Sequence, residues 1–191
     1  MTSIQREFTF HAATHITAFQ ISHFSFNLFM DIDTESFHEQ NVAMDRLKFF
    51  TYACINDTVF INAKEKKLIE KYTACGLKVC AMPEDPHDQI IAVMLFKKLN
   101  AIVEGRLSIL EISLTSTNGD GVAFIYEVDE PEGPFETAGW WSKSDISISE
   151  EKRPKDKVVN LFKRAPSWDE IGLAWKEKEL ILVPDIPFQT T

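Results

Sequence analysis

Two carboxylates one residue apart, Asp31 and Asp33, close the run Phe29-Met30-Asp31-Ile32-Asp33-Thr34. Acidic side chains grouped in this way suit a divalent cation, a hard ion that prefers oxygen ligands. A second group, Glu84, Asp85, His87 and Asp88, surrounds the expected start of a helix. In open α/β sheets, ligands gather beyond the carboxyl ends of parallel strands. If strands at 24–32, 58–63 and 77–82 are parallel, their ends bring together Asp31, Asp33, Asn62, Glu84, Asp85, His87 and Asp88. The result is an acidic crevice over a helix N-terminus, with Asp31, Asp33 and Asp88 as candidate metal ligands. The same aspartates also suit plain turn and cap positions between a strand and a helix.

The run Phe29 to Thr34 resembles the first motif of the haloacid dehalogenase-like phosphatases. The resemblance implies a Mg²⁺-dependent phosphohydrolase in which Asp31 attacks phosphorus and Asp33 acts as acid and base. Mg²⁺ would bridge carboxylate and phosphate and suppress their repulsion. Phe60-Ile61-Asn62-Ala63 sits where that family has its second motif, without the usual Ser or Thr. Lys64 or Lys97 would then be the phosphate-binding lysine, and Gly119-Asp120 the last acidic motif. His15-Ile16-Thr17 and His23-Phe24-Ser25 each resemble the H-x-[T/S] element of the two-histidine phosphoesterases, and adjacent antiparallel strands would bring the two close. His11 and His15 on one strand are roughly 13 Å apart, too far to share an ion. No Gly-rich phosphate loop, nucleophile elbow or zinc spacing occurs.

A second reading needs no catalysis. Phe135, Trp140 and Trp141 lie amid acidic residues and form a candidate contact surface, since tryptophan is enriched at binding hot spots. The alternative is that these rings fold back onto the core. On the contact reading the chain is a small acidic cytoplasmic accessory protein, such as a virus-encoded one. It would act through a protein partner or self-association and need no cofactor, whereas the phosphohydrolase reading requires Mg²⁺.

The elements that must position these residues are legible in the hydrophobic pattern. Pro83 to Gly105 is the centre of the chain: Asp85 is a natural N-cap, Pro86 suits the first helical position, and Ile90 to Phe96 is unbroken apolar sequence. A helix over 86–103 that is apolar on all sides must be covered on all sides. Upstream, alternation predicts antiparallel strands near 7–19 and 22–32, turning at Gln20 to Ser22. Thr34 caps a helix from Glu35 to about Ala53, with Phe37, Met44, Leu47 and Tyr52 inward and Val42, Phe49 and Phe50 broadening that side. A strand at 58–63, a helix over 64–75 stopped by Gly76, and a strand at 77–82 follow. Arg106 to Thr115 and Val122 to Val128 flank Asn118-Gly119-Asp120-Gly121, a hairpin signal. Leu110, Ile112 and Leu114 share one face of that hairpin. The fold expected is α/β (or α+β), a mixed sheet of about five to seven strands against helices. Residues 1–128 form the core domain and 129–191 a loop-rich extension packed on it. That extension includes a charged run from Glu150 to Lys157, a short helix begun by the capping box Ser167-x-x-Glu170, and a last strand at Leu180 to Val183.

Composition narrows the partners. With 29 acidic against 20 basic residues and a formal charge of -9, the chain lacks the basic surface that nucleic acid or an anionic membrane requires. Nucleic-acid contact is expected only if the protein acts as an acidic mimic. No apolar run approaches the roughly 20 residues needed to span a bilayer. Three cysteines with no C-x-x-C pair fit a reducing compartment and read as small apolar residues.

Overall fold

A computed structural model of the protein describes residues 2–150 and 166–176. At its centre is a long antiparallel hairpin of β1 (Ser3–His15) and β2 (Phe19–Ile32). Alternation decides which side is dry: Phe8, Phe10 and Ala12 on β1 and Phe24, Phe26, Leu28 and Met30 on β2 are all buried. The register sets Phe8 opposite Phe26 and Phe10 opposite Phe24, with rings stacked at 5.3 and 4.9 Å. The chain reverses at residues 16–18, ahead of the expected Gln20 to Ser22, so β2 already begins at Phe19.

Beyond β1 the sheet continues in parallel with β3 (Thr58–Asn62) and β4 (Lys78–Met82). Beyond β2 it continues antiparallel with β5 (Leu107–Ser116) and β6 (Phe124–Glu127). Among the described residues this is one six-stranded mixed sheet, ordered β4-β3-β1-β2-β5-β6. A bulge against β2 between Phe29 and Met30 shifts the inward set of β5 to Ile109, Ile112 and Leu114. Leu110 therefore does not share the face of Ile112 and Leu114.

Three α-helices complete an α/β fold among the described residues. The central helix α3 (Asp88–Val103) has the sheet on one side. It also packs against α1 (Phe37–Phe49) and the 3₁₀ turns Gly133–Phe135 and Trp140–Ser142. It buries Ile91, Ala92, Met94, Leu95, Phe96, Leu99, Ile102 and Val103, as its all-round apolar sequence demands. Its N-cap is His87, not Asp85, whose carboxylate instead accepts from Asn62 Nδ2 at 2.7 Å. Glu104, left-handed at φ 48°, and Gly105, at φ 73°, stop it.

Ser36 rather than Thr34 caps α1. Val42, Ala43 and Leu47 of α1 point inward, and after Phe49 the chain continues as a π-helical stretch, Phe50–Ile55, that buries Phe50, Thr51 and Ile55. Phe37 and Tyr52, expected inside, are 81% and 52% exposed. Helix α2 (Lys66–Ala74) buries no residue fully but lays half-buried Leu68, Ile69 and Tyr72 toward the sheet. Ser167 and Glu170 do bond reciprocally, at 2.6 and 3.4 Å, yet they close a turn, not a helix. The strand expected at Leu180 to Val183, and the charged run beyond Glu150, lie outside the described residues.

Candidate functional site

The acidic crevice does not form, because strand polarity separates its parts. β2 is antiparallel to β1 while β3 and β4 are parallel to β1, so β2 runs opposite to β3 and β4. Asp31 lies opposite Ser108 in the register, whereas Asp88 accepts from Ser116 Oγ at 2.6 Å. Ser108 and Ser116 stand at opposite ends of β5, which places Asp31 and Asp88 about 25 Å apart. At one end of the sheet, Asp31 takes the Ser3 hydroxyl at 2.6 Å and Asp33 that of Ser108. At the other, Asn62 holds Asp85, and Gly119 approaches Asp88 so closely that an added Cβ would lie 2.8 Å from its Oδ2. Among the described residues no three His, Cys, Asp or Glu side chains are grouped to hold a metal ion.

The two H-x-[T/S] elements are likewise kept apart. His15 pairs with Phe19 at the hairpin end, and its Nδ1 shares a 2.7 Å hydrogen bond with the Tyr72 hydroxyl. His23 instead lies directly across from His11, with ring centres 4.6 Å apart. The contiguity of His11 and His23 follows from where the hairpin turns, which their spacing alone does not reveal.

Phe135, Trp140 and Trp141 are not an exposed contact surface. They are 1%, 0% and 8% exposed and fold onto α3 and the sheet. Their burial is satisfied as well as apolar: Trp140 Nε1 donates to Ala81 O and Trp141 Nε1 to Thr137 O, each at 3.0 Å. Two buried cations tie the later segments down. Lys98, wholly buried on α3, donates to Trp140 O (3.0 Å), Lys143 O (2.9 Å) and Asp145 Oδ1 (3.3 Å). Desolvation pulls its ammonium down to about 8, partly opposed by the Asp145 carboxylate. Arg46 on α1 donates to Leu173 O (2.9 Å), Ile102 O (3.3 Å) and Glu104 Oε1 (2.9 Å). Its guanidinium lies 4.8 Å from the Trp168 ring centre and 3.7 Å from that of Trp175. Burial also raises the Cys54 thiol to about 11 and the Cys80 thiol further still, so neither is a ready thiolate.

What stands open is the outward side of the sheet. Tyr72 of α2 meets His15 and Phe19 there, at the end of the hairpin nearest β3. Across the rest of β1, β2, β5 and β6, no described helix packs on that side. Its outward positions carry Glu7, Asp31, Glu111 and Glu127, and no lysine or arginine. Glu111 faces Glu127 directly across β5 and β6, and Phe29 directly across β2 and β5. Ile21, Phe29 and Ile125 on the same side are 73%, 41% and 58% exposed. No known family model matches the chain, and a search of curated proteins finds no match. Among the described residues, no helix is long and apolar enough to cross a membrane.

Proposed function

We propose that this protein is a non-catalytic binding module that receives a basic protein partner on the uncovered side of its sheet. The observation that carries the reading is the like-charged pair Glu111–Glu127, directly opposed on neighbouring strands with no lysine or arginine at any outward position around it. Like charges directly opposite each other destabilise a sheet. A partner bearing lysine or arginine relieves that repulsion, and complementary charge also speeds and orients its encounter. Phe29 and Ile125 supply the apolar contact that charge alone lacks. This moves the interaction surface expected from the sequence away from Phe135, Trp140 and Trp141, which serve the core.

The test is an NMR titration of the labelled protein with a synthetic lysine- and leucine-containing peptide, with an acidic peptide as control. Amide shifts are expected to cluster at Asn27, Phe29, Glu111, Ser113, Ile125 and Glu127 and to fade as salt shortens the screening length. The double variant Glu111→Lys/Glu127→Lys is expected to weaken binding at least tenfold. Shifts spread evenly over all acidic positions, or affinity unchanged by the double variant, would overturn the proposal.

A further inference from the structure

We propose that His11 and His23 form a two-histidine site for a late first-row divalent metal ion, with Cu²⁺ and Ni²⁺ the best fits. The two residues are register partners on β1 and β2. Their backbones do not bond each other. His11 N donates to Asn56 Oδ1 (2.8 Å) and its carbonyl accepts from Asp57 N (2.7 Å), while His23 N donates to Thr117 Oγ1 (3.1 Å) and its carbonyl accepts from Thr117 N (3.0 Å). They are thus a non-hydrogen-bonded antiparallel pair, the arrangement that brings facing side chains closest, with Cα atoms about 4.5 Å apart. The rings follow: their centres are 4.6 Å apart and their planes tilted by 45°.

That spacing is a chelate spacing. With each metal–nitrogen bond about 2.0 Å long, each ring centre lies about 3.2 Å from the ion. Centres 4.6 Å apart then subtend about 90–95° at the metal, the angle between neighbouring corners of a square-planar or tetragonal site. Imidazole is a preferred ligand of such ions, and their intrinsic affinity is greatest for Cu²⁺. Only side-chain torsion is needed to aim the nitrogens, because the backbone is held on both flanks, by Thr117 and by the Asn56–Asp57 turn.

A second observation points the same way. His23 Nδ1 is buried and has no hydrogen-bond partner among the described residues. A buried ring nitrogen without a partner is costly, and an ion is one group that satisfies it. His11 is exposed, which leaves the pair a path to solvent, and water fills the remaining coordination positions. The bound ion would clip the two longest strands together at mid-sheet. This site does not depend on the basic-partner reading, since Glu111 and Glu127 lie on other strands.

The test uses the tag-free chain, titrated calorimetrically with Cu²⁺ and with Ni²⁺, together with electron paramagnetic resonance of the Cu²⁺ form. One ion per chain is expected, with hyperfine structure from two imidazole nitrogens. His11→Ala and His23→Ala are each expected to weaken binding at least tenfold, and His87→Ala, at the exposed histidine that begins α3, to leave it unchanged. The ion should raise the thermal midpoint of the wild-type chain and not that of His11→Ala. Because His11 is exposed, that variant remains decisive even if His23→Ala folds poorly. Binding that survives both substitutions, or that falls equally with His87→Ala, would mark an adventitious ion only and overturn the site.

Discussion

Replacing Lys98 by methionine should change how stability depends on pH. In the folded chain the Lys98 ammonium titrates near 8, because no part of it reaches water, whereas an unfolded lysine titrates near 10.5. Between those two values the unfolded chain binds the proton and the folded chain does not. Stability attributable to Lys98 therefore rises as pH climbs through that window. A separation of roughly 2.5 pH units at 1.36 kcal/mol each makes the gain about 3 kcal/mol from pH 7 to 10.5. Against a typical total of about 5–15 kcal/mol, that is readily measured. The assay is urea denaturation of both proteins across that range, with the wild-type minus variant difference plotted. Taking the difference cancels most of the opposing contribution of the raised Cys54 and Cys80 thiols. The difference is expected to shift in favour of the wild type by about 3 kcal/mol as pH rises. A flat or falling difference would refute the reasoning, since it would mean that Lys98 keeps an ordinary ammonium in the folded protein.

Other outcomes follow from the same contacts. Arg46→Ala removes three hydrogen bonds and the cation between Trp168 and Trp175, and should cost about 2–4 kcal/mol. Urea midpoints together with red-shifted tryptophan emission check it; a loss under about 0.5 kcal/mol would show that residues 166–176 do not rest on Arg46. Gly139 has an extended φ of -154°, so alanine is not strained there, but its Cβ would lie 2.4 Å from the Trp141 ring. Gly139→Ala is expected to cost about 1–3 kcal/mol in thermal denaturation. Asp31→Asn loses only the charge that receives the Ser3 hydroxyl and should change stability by less than about 1 kcal/mol. Neither it nor the wild type is expected to release phosphate from a generic phosphate ester with Mg²⁺. Release that the substitution abolishes would support the phosphohydrolase reading instead.

Much of the architecture was legible in local pattern. The strict alternation of Phe24, Phe26, Leu28 and Met30 marked a strand with one buried side, and the unbroken run from Ile90 to Phe96 marked a helix covered all round. Asn118 to Gly121 marked a reversal, and Asp120 and Gly121 indeed take positive φ there. Such signals survive because they depend only on which side of an element must leave water. The helix start expected at Asp85 and the inward Tyr52 differ in the structure because other contacts win. Asn62, 23 residues away in sequence, takes the Asp85 carboxylate from the simple cap, and the π-helical stretch Phe50–Ile55 departs from the 3.6-residue period on which Tyr52 was placed.

The candidate site was another matter, because it depends on the relative direction of strands. Nothing between residues 32 and 58 states that β3 will align with β1 instead of β2, so the sequence placed Asp31 and Asp88 together and the pairing sent them to opposite ends. Lys98 reads as one more charge on a helix. It is buried because the carbonyls of Trp140 and Lys143 arrive from more than forty residues away to receive it. Hydrophobic periodicity is written residue by residue, and the chain alone determined which segments must be dry. Which polar groups then meet, His11 with His23 and Glu111 with Glu127 among them, was decided by long-range register, an energy shared across the whole sheet.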